Sequence, residues 1–170
     1  MINSGLMSSK TAERATPQAF FDELNKEFNF TLDPCATPEN AKCPRYFTKE
    51  QNGLLQSWKG ERVFCNPPYG KEIGKWVKKC ADEAEQGALV VMLIPARTDT
   101  KYFHEYIYQK HEMRFIKGRL YFGDGSGRAP FPSMVVVMKA QHETEAEKFK
   151  RRLAEVKNIL EEVARCIVIN

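Results

Sequence analysis

The four residues Asn66-Pro67-Pro68-Tyr69 are the part of this sequence best suited to carry chemistry. They directly follow 62–65, a short apolar segment typical of a buried strand. The side-chain oxygen of Asn66 and the carbonyl oxygen of Pro67 can each accept one N–H hydrogen. The prolines stiffen the loop that aims these acceptors. A proline-rich turn that only leaves the strand is the alternative interpretation.

Two fixed acceptors suit an amino group on an aromatic ring. Such an amine is a poor nucleophile because its lone pair is delocalised into the ring. Holding both hydrogens out of the ring plane favours a tetrahedral nitrogen, whose lone pair can attack a methyl sulfonium in line. Tyr69 can stack on a base that has left a nucleic-acid helix. The motif therefore indicates methyl transfer to a planar amine, with Asn66, Pro67, Pro68 and Tyr69 as the catalytic group.

Alternating helices and strands must position this motif. Thr16 is expected to cap a helix that begins at Pro17. Strands are predicted at 30–32, 45–47, 62–65, 88–94, 113–116, 119–122 and 133–139, and further helices at 72–86, 100–110 and 143–166. The alternation predicts an α/β fold with a mostly parallel sheet and helices on both faces. Ligands of such sheets bind beyond the carboxyl ends of the strands, where Asp33-Pro34 and the motif both lie.

Length and composition fit one intracellular domain. The 170 residues have 42% hydrophobic content and a net charge of +4, which permits a nucleic-acid partner without requiring one. Five cysteines without a Cys-x-x-Cys pair, and three scattered histidines, predict neither a metal site nor a disulfide framework. The longest apolar run, 88–96, is too short to span a bilayer, and 1–10 does not resemble a signal peptide. A cytoplasmic location is expected.

The domain organisation is predicted in three parts. Residues 1–15 are a loose arm, and 16–140 form the domain that carries the motif. Residues 141–170 form a charged helix whose apolar stripe is expected to pack on the same domain. Dimerisation through that stripe is the alternative, and a monomer is the expectation.

Several blocks together resemble the phage-type DNA N-6-adenine methyltransferase family over roughly residues 12–139. These blocks are Thr16-Pro17, Asp33-Pro34-Cys35-Ala36, Pro44-Arg45-Tyr46-Phe47-Thr48, Gly53-Leu54, Trp58, Phe64 to Tyr69, Ile73-Gly74-Lys75-Trp76, Ile94 to Thr100, and the hairpin from Gly118-Arg119 to Phe131-Pro132-Ser133. The resemblance implies a Rossmann-like class I methyltransferase core with a terminal antiparallel hairpin. It also implies S-adenosylmethionine as methyl donor and N6 of adenine in DNA as acceptor.

By this resemblance, Asp33 pairs with the ammonium group of the cofactor. A turn-initiating role for Asp33 is the alternative, and helix capping is equally open for Thr16. The resemblance leads us to expect an acidic residue at position 52, where this chain has Asn52, so a carboxylate for the ribose is expected from Glu50 or elsewhere. Trp58 is expected either beside the cofactor or, with slight preference, in the core. The predicted cofactor-binding residues are Thr16, Pro17, Asp33, Pro34, Cys35, Ala36, Glu50, Asn52, Gly53, Leu54 and Asn66.

DNA contacts are predicted in two segments. The first follows the apolar strand 88–94 and therefore lies at the same edge as Asn66, and the second flanks the glycine-rich loop 123–127, which suits contact with a phosphate backbone. A solvated helix start capped by Thr98 or Asp99, and a hairpin tip without function, are the alternatives. The predicted DNA-binding residues are Arg97, Thr98, Asp99, Lys101, Arg119 and Arg128.

Two other functions remain open from sequence. The same acceptor geometry would serve methyl transfer to cytosine N4, an RNA base or a protein glutamine. A DNA-binding protein that keeps the fold without turnover is the candidate from a different class. Asn rather than Ser at position 66 favours adenine through the resemblance.

Overall fold

Short apolar segments pair into a sheet of six strands within the part of the chain that the computed structural model describes, residues 15–122 and 128–140 together with Leu153, Val156 and Lys157. The strands are β1 (Leu32–Asp33), β2 (Arg45–Tyr46), β3 (Arg62–Cys65), β4 (Leu89–Pro95), β5 (Glu112–Phe115) and β6 (Ser133–Met138). Their order across the sheet is β2-β1-β3-β4-β6-β5. The first four strands in that order run parallel, and β6 is antiparallel to both of its neighbours. The predicted mostly parallel sheet, with an antiparallel pair at its end, is confirmed.

Strands β4 and β6 are neighbours in the interior of the sheet, and their residues are almost entirely buried. A continuous apolar run is what a strand covered on both faces requires. The helices are α1 (Gln18–Phe28), α2 (Ile73–Glu85) and α3 (Lys101–Tyr106), with a 3₁₀ turn at Gly53–Leu55. The stripe predicted for α2 is buried: Ile73, Trp76, Val77, Cys80 and Ala84. On α1, the ring of Phe21 packs edge-on against Phe64 of β3, with ring centroids 5.1 Å apart.

Several predicted elements differ from the structure, among them the first strand, which comprises Leu32–Asp33 instead of 30–32. The helix does not begin at Pro17 with Thr16 as its cap: Pro17 itself is the cap residue, with extended backbone. Helix α3 ends at Tyr106 instead of residue 110, and the chain then turns through Gln109, whose φ is 59°. Residues 119–122 form no strand of the sheet, since Gly118 turns the chain at φ 83° and only an isolated bridge joins Tyr121 to Arg128.

The chain divides into two compact units, Met1–Ala140 and Gln141–Asn170, and the fold above belongs to the first. The predicted arm falls outside the described residues except for Ala15, and the loop 123–127 falls outside them entirely. In the second unit, Leu153, Val156 and Lys157 are helical and exposed, and the packing of the predicted terminal helix stays a prediction. Within the described ranges, none of the helices combines the length and hydrophobicity that a membrane span needs.

Close packing between two loops shapes the carboxyl edge of the sheet. A Cβ atom added to Gly53 would lie 2.0 Å from the carbonyl oxygen of Pro34, so only glycine fits there. The indole nitrogen of Trp58 donates to the carbonyl oxygen of Gly53 over 3.0 Å. Trp58 is fully buried, which confirms its expected core role. Its backbone N–H in turn donates to the buried carboxylate of Glu83 on α2, over 2.7 Å.

Gly53→Ala should destabilise the protein by about 1–3 kcal/mol, because the two loops must separate to admit the methyl group. Urea unfolding followed by circular dichroism measures this change. Gly74→Ala is the matched control: its Cβ would meet only Tyr102, at 3.8 Å, and the position is helical. We expect the control to be neutral or stabilising by a few tenths of a kcal/mol or more. Equal effects of the two substitutions would contradict the loop contact.

Candidate active site

A cavity of about 470 Å³ lies beside the carboxyl ends of β1 and β3. Its volume is within the range of small-molecule sites, roughly 300–1,000 Å³. Ten of the predicted site residues line it: Thr16, Asp33, Pro34, Cys35, Ala36, Asn52, Gly53, Leu54, Asn66 and Pro68. Four others, Pro17, Glu50, Pro67 and Tyr69, are not among the described residues that line it. The strand ends thus bring most of the predicted cofactor residues into one space with Asn66.

Asp33 is the buried carboxylate of this cavity. Only 5% of the residue is exposed. The backbone N–H of Cys35 donates to its Oδ1 over 3.3 Å, and that of Lys42 donates to its Oδ2 over 3.2 Å. Burial raises the pKa of Asp33 to about 6, although both N–H groups and the charge of Lys42 act in the opposite direction. A carboxylate has four acceptor sites, so Asp33 can still accept from a cationic ligand.

Asn66 follows β3 directly and is held by the segment that precedes α1. Its Nδ2 donates to Oγ1 of Thr16 over 3.0 Å, and Thr16 is 5% exposed. The amide oxygen of Asn66 is itself buried. The sequence pointed to both residues but not to the bond between them.

Tyr69 is buried instead of lining the cavity. Its hydroxyl donates to the carbonyl oxygen of Leu93 in β4 over 3.2 Å. The ring meets Phe131 and Phe122 edge-on, with centroids 5.5 and 6.1 Å away. The last residue of the motif is therefore packed under the segment that leads from β5 into β6.

Two cysteine thiols lie beside the motif. The Sγ atoms of Cys35 and Cys65 are 3.9 Å apart. Burial raises the pKa of both thiols, so both are neutral near pH 7. Neutral sulfur atoms in a packed wall act as small apolar groups.

The loop after β2 supplies polar atoms but no carboxylate to the cavity wall. Asn52 has a positive φ of 50°, and its side chain accepts from the backbone N–H of Leu54 over 3.3 Å. Asparagine tolerates this backbone conformation well. Glu50 is exposed, and its pKa is lowered by a hydrogen bond from Thr48. Among the described acidic residues, the cavity wall holds Asp33 and Glu72.

Several lining residues had not been assigned to the site from sequence. They are Ala15, Thr37, Asn40, Lys42, Thr48, Lys49, Phe64, Glu72 and Trp76. Thr48 and Lys49 follow the carboxyl end of β2, so their position along the chain carried a usable signal. Phe64 and Trp76 belong to the blocks that carry the resemblance, but they were predicted as apolar core positions and not as site residues. Lys42 reaches the cavity because its loop folds back onto Asp33. Sequence periodicity does not predict the path of such a loop.

The predicted DNA-binding residues lie at the same edge as the cavity. Arg97 to Lys101 follow the carboxyl end of β4; Arg97 is half-buried, whereas Thr98 and Asp99 are exposed. Neither Thr98 nor Asp99 caps α3, because the cap residue is Thr100. Lys101 lies 3.4 Å from Glu105 on the same helix. Arg119 and Arg128 are exposed, and the guanidinium of Arg128 lies over the ring of Tyr121 at 5.4 Å.

The sheet order and the cavity at its carboxyl edge define a Rossmann-like class I methyltransferase core, as the sequence resemblance implied. Residues 3–162 match the family described as DNA N-6-adenine-methyltransferase (Dam), and the chain therefore belongs to that family. Among the described residues, no group of three or more His, Cys, Asp or Glu side chains is placed to hold a metal ion.

Two curated phage proteins resemble the chain. The DNA N-6-adenine-methyltransferase of Haemophilus phage HP1 is 30% identical over 118 residues, which cover 68% of each chain. The protein of the same name from Escherichia phage T1 is 31% identical over 108 residues, which cover 62% of this chain and 45% of its own. A solved structure from Thermoplasma acidophilum aligns with 75% of this chain and 66% of its own, at a TM-score of 0.41 and 13% identity, a likeness too weak to carry an argument.

The raised pKa of Asp33 predicts a pH dependence of ligand binding. A cationic ligand binds the ionised carboxylate. The affinity of the protein for that ligand should therefore be highest above about pH 6 and should fall as the pH drops through that value. Below it, we expect the affinity to fall about tenfold per pH unit. Carbon-13 NMR of the Asp33 carboxyl group in the free protein measures the midpoint. A midpoint near 4 would contradict the effect of burial.

Proposed function

We propose that this protein transfers a methyl group from S-adenosylmethionine to the N6 amine of adenine in DNA. The observation that carries the proposal is that Asn66 and Asp33 line one cavity at the carboxyl edge of a methyltransferase core. The family membership and the phage relatives support adenine in DNA as the acceptor.

The residues of the cavity fit S-adenosylmethionine. The Asp33 carboxylate is suited to the ammonium group of the methionine moiety. Thr16, Pro34, Cys35 and Ala36 form the adjoining wall, and Asn52, Gly53 and Leu54 face the remaining length of the cavity. The ribose hydroxyls have polar candidates in Asn52 and Glu72, and Trp76 offers an aromatic surface. When bound, the cofactor supplies a methyl group on a positively charged sulfur.

Asn66 and Pro67 act on the attacking amine. The amide oxygen of Asn66 and the carbonyl oxygen of Pro67 each accept one of its hydrogens, which draws the nitrogen toward tetrahedral geometry. This geometry would turn the lone pair out of the base plane, toward a methyl donor bound in the cavity. Transfer would form the N–C bond as the sulfur–methyl bond breaks and a neutral thioether leaves. The methylated nitrogen would then lose one proton to water, so a strong general base is not required.

Tyr69 and the segment above it are proposed to receive the base. An adenine must leave the duplex to reach a cavity of this kind. The ring of Tyr69 is buried against Phe122 and Phe131, so a base can stack on it only where those rings give way. The segment that carries the two rings also carries the exposed residues Tyr121 and Arg128, whose side chains contact each other. Arg97, Lys101, Arg119 and Arg128 are proposed to meet phosphates at this edge, with Thr98 and Asp99 nearest to the base pocket.

Asn66→Ala should lower kcat by about 10²- to 10³-fold, because one aimed group is removed from the transition state. Calorimetry should show binding of S-adenosylmethionine within about threefold of wild type, since Asp33 is retained. Asn66→Asp is the matched comparison: it keeps an acceptor at the same place and should retain more turnover than alanine. Full activity of Asn66→Ala would show that the catalytic assignment is wrong.

Arg119→Gln and Arg128→Gln should each weaken DNA binding and lower the slope of log affinity against log salt by about one. Fluorescence anisotropy with a labelled duplex, measured over a salt series, gives both quantities. Arg45→Gln is the control, because Arg45 is paired with Glu61 and lies on β2. An unchanged slope in both hairpin variants would remove that segment from the proposed DNA surface.

A further inference from the structure

Thr16 has no helix-capping task in this fold. The cap position of α1 is Pro17, and no side chain among the described residues makes a cap hydrogen bond there. The Thr16 hydroxyl is instead buried and accepts the amide N–H of Asn66, 50 residues away in sequence. The side chain of Thr16 thus bonds to the residue that follows β3 instead of capping the helix that follows it.

We infer that Thr16 is a positioning residue that holds the Asn66 amide in place for the substrate amine. This inference rests on the proposed function and deepens it. The Asn66 amide can accept a hydrogen of the amine only from one position, and an Asn side chain that rotates about its single bonds needs a neighbour to hold it there. The hydrogen bond to Thr16 restrains the amide at its nitrogen end.

The surroundings of Thr16 are rigid enough for this role. The backbone N–H of Phe21 donates to the carbonyl oxygen of Pro17 over 3.1 Å, which joins the cap to the first turn of α1. Phe21 packs on Phe64, two residues before Asn66 on β3. The acceptor Thr16 therefore precedes, and the donor Asn66 follows, one of two elements that are packed against each other. Burial of Thr16 reduces competition from water.

Thr16→Val keeps the shape of the side chain and removes the hydroxyl that accepts the hydrogen bond, whereas Thr16→Ser keeps that hydroxyl. At saturating cofactor and DNA, Thr16→Val should lower kcat about tenfold, the effect of losing one uncharged hydrogen bond. Thr16→Ser should stay within about threefold of wild type. In the Asn66→Ala background, Thr16→Val should cause no further loss, because the group that it orients is gone.

A second readout does not depend on activity. Hydrogen exchange of the Asn66 side-chain amide, followed by nitrogen-15 NMR in the full-length protein, reports the bond directly. The exchange should be slow in wild type and in Thr16→Ser, and at least about tenfold faster in Thr16→Val. Thr31→Val is the matched control: Thr31 bonds to Glu61 and Arg62 before β1, so its loss should change neither readout.

The outcomes separate this inference from the proposed function. An unchanged kcat in Thr16→Val, or a further tenfold loss in the Asn66→Ala background, overturns the positioning role. A raised KM for the cofactor with unchanged kcat also overturns it, since Thr16 would then act only as a cofactor contact. If wild-type protein transfers no methyl group while the exchange data show the bond, the proposed function fails and the bond is only structural.

Discussion

The parallel pairing of β1 with β3 is the constraint on which the rest of the site depends. Leu32 is in register with Val63, so the two strands end at the same edge and deliver Asp33 and Asn66 to one cavity. Neighbouring strands lie about 5 Å apart, which sets the lateral spacing of a cofactor anchor and an amine acceptor without any contribution from loop length. If one of the two strands slipped by one residue, its side chain would turn toward the opposite face of the sheet, away from that of its neighbour.

The loops around these strand ends are fixed by contacts with the core. Gly53 packs against the backbone of Pro34, and its carbonyl oxygen accepts a hydrogen bond from the indole of Trp58. The backbone N–H of Trp58 in turn donates to the carboxylate of Glu83 on α2. Preorganised groups act in catalysis because their orientation costs nothing at the moment of reaction. Asp33 differs from these residues because its charged form is destabilised by burial, which raises its pKa to about 6. A carboxylate that is desolvated in the free protein is suited to a cationic ligand, because the ligand's charge stabilises the ionised form.

Much of this structure follows from local pattern, and the rest does not. Helix α2 was predictable because its apolar residues repeat with the helical period, and the strands 62–65 and β4 were predictable because each is a short apolar run. The partner of Thr16 was not, because a hydrogen bond between residues 50 positions apart leaves no trace in spacing. Glu50 and Pro17 were expected at the cofactor yet lie off the cavity, since the turns at Asn52 and α1 direct neighbouring residues elsewhere. Residues 119–122 have strand composition, but Gly118 takes them out of the sheet.

The central claim is that the amine held at Asn66 is N6 of adenine in DNA. Incubation of the protein with tritiated S-adenosylmethionine and duplex DNA, followed by digestion to nucleosides and chromatography, tests it most directly. The account predicts label in N6-methyldeoxyadenosine and none in methylated cytosine. Label in N4-methyldeoxycytidine would contradict the choice of base, and label found only in RNA or protein would contradict DNA as the substrate. An absence of label together with an absence of cofactor binding would identify a DNA-binding protein that keeps the fold without turnover.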